Sequence, residues 1–172
     1  MFLNLLKGFF IKRKLNNRLA NVKYTSSSKR VTTIGIIIDE DHLHKRTDLI
    51  KEIVNHGIKE KLVHCLVFTN KMKKERSPTG LDLSWEQINW KGEFIDQQII
   101  AFQQQPFDVL INYYTDPKAP LLLLTHNSQS LFKVGFDSID KRLNHFIIKT
   151  DPYDYKIFTG ELFKYLKILN KI

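Results

Sequence analysis

"RVTTIGIIIDED" runs from Arg30 to Asp41, and its reading decides the fold. From Val31 to Ile38 the residues are mostly β-branched and nearly unbroken in apolar character. A strand with one face in water alternates apolar and polar residues, whereas a continuous apolar run marks a central strand covered on both faces. Two further runs share this character: "KLVHCLVF" ending at Phe68, and "FDVLINYY" from Phe107 to Tyr114. "LFKVGF" and "HFIIKT" read as two shorter strands.

Helical patterns lie between the strands. Arg46 to Asn55 sets Leu49, Ile50, Ile53 and Val54 on one side, and Gly57 stops it. A short helix is expected near Asp96 to Gln104. "APLLLLTHNSQ" suits a buried helix after Pro117-Lys118. Tyr153 to Ile172 sets Phe158, Leu162, Tyr165, Leu166 and Leu169 along one helical face. Thr69 to Gly92 is polar, carries Pro78 and Gly80, and reads mostly as loop. Strands alternating with helices predict an α/β fold: a three-layer, Rossmann-like domain with a mainly parallel sheet.

The charge is uneven. The 172 residues carry a net charge of +9. Residues 1–30 contain Lys7, Lys12, Arg13, Lys14, Arg18, Lys23, Lys29 and Arg30 but no acid, so most of the excess sits there. This divides the chain into a basic N-terminal arm, 1–30, and a nearly neutral α/β domain, 31–172, joined through the polar linker "YTSSSKR". On a helical wheel Phe2, Leu3, Leu5, Leu6, Phe9 and Phe10 share a face, with Lys7 and Lys14 opposite, which predicts an amphipathic first helix. Its apolar face is expected to dock on the domain or a partner. Two other readings stay open, an anionic membrane surface and a basic side laid on nucleic acid. The apolar start is broken at Lys7-Gly8 and most of its charge follows it, unlike a secretory signal. No later stretch approaches the ~20 apolar residues of a membrane span. The one cysteine, Cys65, lies in an apolar run and reads as a core thiol, which suits a reducing cytoplasm.

Nucleotide chemistry is not expected. None of the seven glycines stand two apart, and no Gly-Lys-Ser/Thr follows a strand, so neither phosphate-cradling pattern can be written. The turn after the first strand is acidic. Asp39, Glu40, Asp41, His42 and His44 sit at the carboxyl edge of the sheet, where ligands of open α/β folds bind. Carboxylates and imidazoles together could hold a divalent metal. The alternative is that Asp41 caps the next helix. No second ligand set completes a metal site, so neither metal nor cofactor is expected. A possible cleft at the strand ends would use Asp39, Asn112 and Arg142.

In "KVGFDSIDKRLNHFII", Lys133 to Ile148, the polar middle reads as a turn between two strands, with Lys141 and Arg142 at its tip. Arg142, Asn144 and His145 could instead meet an anionic ligand. "PFDVLINYYTDPKAPLLLLTHNSQSLFKVGFDS" resembles the acceptor-side domain of heptosyltransferase-like glycosyltransferases, which implies a Rossmann-like half-domain and carries over no catalytic residue. "IGIIIDE", "FDVLINYY", "KVGF" with "RLNHFII", and "ELFKYLKILNKI" resemble a family of short Bacteroidota α/β proteins, which implies one domain and no assigned activity. The leading expectation is a non-catalytic binding module whose basic arm engages RNA or a ribonucleoprotein such as the ribosome. "KMKKER" from Lys71 to Arg76 would extend that surface. Trp85, Trp90, Tyr113 and Tyr114 could stack on bases but are expected in the core. The alternatives are a small-ligand binder or glycosyltransferase-like enzyme at the strand ends, and a peripheral membrane protein.

Overall fold

The computed structural model describes residues 2–19, 30–70 and 81–172. Within them six strands form one sheet in the order β3-β2-β1-β4-β5-β6, and every neighbouring pair is parallel. The strands are β1 (Ile34–Asp39), β2 (Val63–Phe68), β3 (Leu81–Leu83), β4 (Val109–Tyr113), β5 (Lys133–Phe136) and β6 (Phe146–Ile148). The helices are α1 (Phe2–Arg18), α2 (Arg46–Asn55), α3 (Gln97–Gln104), α4 (Ala119–Asn127) and α5 (Tyr155–Ile168). This is the expected Rossmann-like arrangement, with helices on both sides of a parallel sheet.

The alternation of side chains along a strand sorts the core into two halves. Ile34, Ile36 and Ile38 of β1, with Val109, Ile111 and Tyr113 of β4, face α2 and α5. Ile37, Leu110 and Tyr114 face α3 and α4, and the same cluster takes in Ile11 and Leu15 of α1. Gly35 belongs to this second side. A methyl group there would sit 2.6 Å from Phe107 Cδ2, so only glycine admits the ring. The α2 helix ends where Gly57 takes φ +96, a conformation that glycine adopts without a steric penalty.

Asp108 ties the amino ends of β1 and β4 together. Its Oδ2 accepts from the backbone N–H and hydroxyl of both Thr32 and Thr33, at 2.8–2.9 Å. Burial pushes its carboxyl up, but these donors outweigh burial and hold it below the ordinary carboxylate value.

The stretch read as mostly loop also carries a short edge strand, β3, three residues long; so short a strand leaves little periodicity to read. One expectation needs correction. The first helix docks, but not by its expected face. Gly8, Ile11 and Leu15 are buried, while Leu3, Leu5, Leu6, Phe9 and Phe10 point to solvent. The spacing i, i+3, i+7 of Gly8, Ile11 and Leu15 sets the buried stripe, and the richer apolar cluster on the wheel lies away from it.

A polar network crosses the second half-core. Asn112 Nδ2 donates to Asn144 Oδ1 at 2.7 Å, and Thr125 Oγ1 donates to Asn112 Oδ1 at 2.9 Å. Thr125 has thereby spent its proton, so Tyr114 OH, 2.7 Å away, is the donor to it. Gly135 leaves the room for Asn144; a methyl group there would lie 2.7 Å from Nδ2. The polar run after β5 is therefore a crossover whose Asn144 reaches inward. Beside it Lys133, 4% exposed, donates to the Thr125 and His126 carbonyls at the end of α4, at 2.6 and 3.4 Å.

Burial pushes the Lys133 amine down to about 8 from its ordinary 10.5. Between those two values the unfolded chain holds a proton that the folded chain has released, so this group makes stability rise with pH. Urea unfolding of the parent and of Lys133→Met at about pH 7 and about pH 9.5 should show the parent gaining about 2 kcal/mol relative to the variant at the higher pH. A constant difference would place the amine in water.

Candidate functional site

The strand order reverses between β1 and β4: the chain steps from β1 outward through β2 and β3, then returns to the other side of β1 as β4. In open α/β sheets the crevice at the carboxyl ends of those two strands is the ligand position. Asp39 ends β1 there, and Lys118 stands just before α4, which follows β4. Asp39 is 1% exposed, and its Oδ2 pairs with Lys118 Nζ at 2.7 Å. The same amine reaches Asp41 Oδ2 at 2.8 Å. His42 Nε2 lies 3.2 Å from Thr115 Oγ1, and its ring meets Tyr113 and Tyr153 edge-on.

The electrostatics follow from burial and neighbours. Burial pushes the Asp39 carboxyl up, and Lys118 pulls it back only in part. The hydrogen bonds of Asp39 and Asp41 overcome burial at Lys118 and raise it, so it stays a cation. Burial lowers His42, against the pull of both carboxylates, and favours the neutral ring. Asp39 Oδ1 and His42 Nδ1 are buried and, among the described residues, have no hydrogen-bond partner. A buried acceptor without a donor is unusual in a folded protein.

The expected cleft does not assemble as drawn. No hydrogen bond or ion pair joins any two of Asp39, Asn112 and Arg142. Asn112 is wholly buried in the network with Asn144 and Thr125. Arg142 pairs with Asp140 at 2.7 Å and donates to Asn16 of α1 at 2.8 Å. Asp39 stands instead with Lys118, His42 and Thr115. Nor does Asp41 cap α2: residues Glu40–Lys45 form a 3-10 turn, Lys45 occupies the cap position without a side-chain bond, and Asp41 faces Lys118. Among the described residues no three of His, Cys, Asp or Glu are placed to hold a metal. A cavity of about 420 Å³ lined by His64, Cys65, Gln98 and Phe107 opens at the amino end of β2 and contains none of the cleft residues.

The basic arm is partly committed to the domain. Lys7 Nζ donates to the Trp85 carbonyl at 2.9 Å and to that of Ile88, and burial lowers its pKa. Lys14 donates to the Lys91 carbonyl at 2.8 Å but stays exposed. Lys12, Arg13, Arg18 and Arg30 are exposed. Lys23 and Lys29 lie outside the described residues, as does "KMKKER". Tyr113 and Tyr114 are buried and Trp85 is half-buried against Gly8, while Trp90 is exposed.

A family model matches residues 7–169, from within α1 to the end of α5. The chain belongs to the family of unknown function DUF6913. Neither a curated protein nor a solved structure matches it. The DUF6913 match begins at Lys7, one of the residues that fasten α1 to the domain, and takes in Asp39 and Lys118. No described helix of this DUF6913 chain is long and apolar enough to cross a membrane.

Sequence reasoning singled out Asp39 from its place at a strand end but missed Lys118. The signal available was its position directly before α4 at the end of β4, where an amine can reach across the switch point.

Removing the amine leaves a buried charge without its partner, which typically costs about 3–5 kcal/mol. Lys118→Met should lose about that much in urea unfolding, and Asp41→Asn, at an ion pair whose carboxylate is 63% exposed, about 0–1 kcal/mol. Combining Lys118→Met with Asp39→Asn should recover part of the loss. Equal effects of the two single changes would mean that Asp39 is not a buried ion in solution.

Proposed function

We propose that the protein is a non-catalytic binding module that works in the cytoplasm and engages a polyanion through the exposed cations of α1. One observation carries the reading: Lys12, Arg13 and Arg18 stand in water and, among the described residues, have no ion-pair partner, on a helix fastened to the domain. Within residues 1–30 no acid is available to neutralise them. A polyanion removes their mutual repulsion and gains entropy from released counterions. The resemblance to short Bacteroidota proteins supports treating the α/β domain as one such module.

Heparin and single-stranded RNA are the test polyanions. The full chain should bind both at low salt, with log affinity falling steeply against log salt. Replacing Lys12, Arg13 and Arg18 with glutamine should weaken binding and reduce the slope by about two. Salt-independent binding, or none at about 50 mM salt, would defeat the reading.

The unpartnered Asp39 Oδ1 and His42 Nδ1 favour a second reading, a small-ligand site at the switch point. Oδ1 calls for a hydroxyl or amide donor, and the heptosyltransferase-like pattern around β4 and α4 makes a sugar-like polyol the chemistry to try first. A ligand at about 100 times its dissociation constant adds about 2.7 kcal/mol to stability. Monosaccharides that raise the melting temperature of the parent should leave Asp39→Asn unmoved, and a shift that persists in that variant would move the site elsewhere.

A further inference from the structure

We infer that the polyanion engaged by α1 is an anionic lipid surface, and that the outward face of this helix lies in the interface. This deepens the polyanion reading and rests on it. The observation is the set of side chains that α1 leaves in water: Leu3 is 61% exposed, Leu5 66%, Leu6 38%, Phe9 60% and Phe10 57%. Isolated exposed apolar residues are ordinary, but a contiguous group marks an interaction surface.

The helix cannot bury these residues by rolling over. Its inner face is fixed by Ile11 and Leu15 in the core, by Gly8 against Trp85, and by the bonds of Lys7 and Lys14 to loop carbonyls. Arg142 holds Asn16 from the side. The outward face is thus presented by the fold itself. It is divided along its length: apolar side chains fill the first half, and Lys12 and Arg13 follow in the second, while Arg18, two turns beyond the buried Ile11, borders the docked side.

Charge and shape together choose the occupant. An anionic bilayer offers both halves a partner, acyl chains for Leu3, Leu5, Phe9 and Phe10 and phosphates for the cations. RNA would satisfy the cations and leave the apolar half in water. A second copy would set two basic helices against each other with no acid on either face. Among the described residues no helix can span a bilayer, so the contact is one of lying on the surface.

The experiment uses the full chain with phosphatidylcholine vesicles with and without phosphatidylglycerol, read by flotation, beside heparin retention, RNA binding and light scattering. Vesicles containing phosphatidylglycerol should carry the protein and neutral vesicles much less. Phe9→Ser with Phe10→Ser should cut partition by about tenfold or more while heparin retention stays unchanged. The replaced side chains are exposed, so the fold should persist, as circular dichroism would report; if that pair misfolds, Leu5→Ser with Phe9→Ser replaces it under the same readings. Binding to RNA and heparin without vesicle association would overturn the lipid inference and leave the polyanion reading standing. Binding to none of the three would end both. A dimer that Phe9→Ser with Phe10→Ser disperses would assign the face to a second copy and overturn the inference.

Discussion

The sheet of six parallel strands must be covered on both faces, because neither face alternates polar with apolar residues. Every other feature of the fold answers to that constraint. It demands the unbroken isoleucines of β1, since Ile36 and Ile37 face opposite halves of the core and both are fully buried. It demands helices on both sides, α2 and α5 on one and α3 and α4 on the other. It also keeps the two edges short. β3 and β6 have three residues each, which limits the open ladder that another chain could pair with.

Covering a sheet with one very apolar helix creates a second problem. Leu121, Leu123 and Leu124 of α4 are all buried, although a helix turns its residues in every direction. One side of α4 meets the sheet, and another is covered by α1. The first helix is therefore a further layer over α4. Its attachment shows the same logic: Ile11 and Leu15 extend the core, and Gly8 lets the backbone come close to Trp85. The ends of α4 meanwhile serve the polar interior. Lys118 at its start neutralises Asp39, and the carbonyls at its end receive Lys133. One helix thus positions two buried charged side chains, Asp39 and Lys133, at opposite ends.

Much of this was legible in the residues, and the reason is physical. β1, β2 and β4 announce themselves because full burial leaves an unbroken apolar run, and α2 and α3 because a helix half in water leaves a stripe. Gly57 marked a helix end because its φ suits glycine. The candidate site was less legible. A strand end fixes where Asp39 lies along the sheet, but not which side chains approach from other loops. Asn112 is one residue of a strand whose alternate positions face opposite helices, so its direction depends on register that no local pattern states. Arg142 sits on a crossover, and its partners Asp140 and Asn16 are 2 and 126 residues away in sequence.

The misreading of α1 has the same origin and carries the most meaning. A wheel ranks faces by apolar content and takes the richest as the inner one, which presumes that burial within the chain is what apolar side chains are for. In α1 the presumption fails. The buried stripe of Gly8, Ile11 and Leu15 is the poorer of the two, yet it fits the groove that α4 and Trp85 provide. Shape decides the docked face here, since a glycine and two aliphatic residues admit the close approach that Phe9 and Phe10 would block. The five exposed residues then gain nothing from the fold, and exposing them together is a standing liability for any chain that must stay dispersed. Lys12 and Arg13, with no acid among the residues of α1, oppose self-association at that face, because two such faces repel. The same uncompensated charge is thus what makes an exposed apolar helix face tolerable in a chain that must stay dispersed.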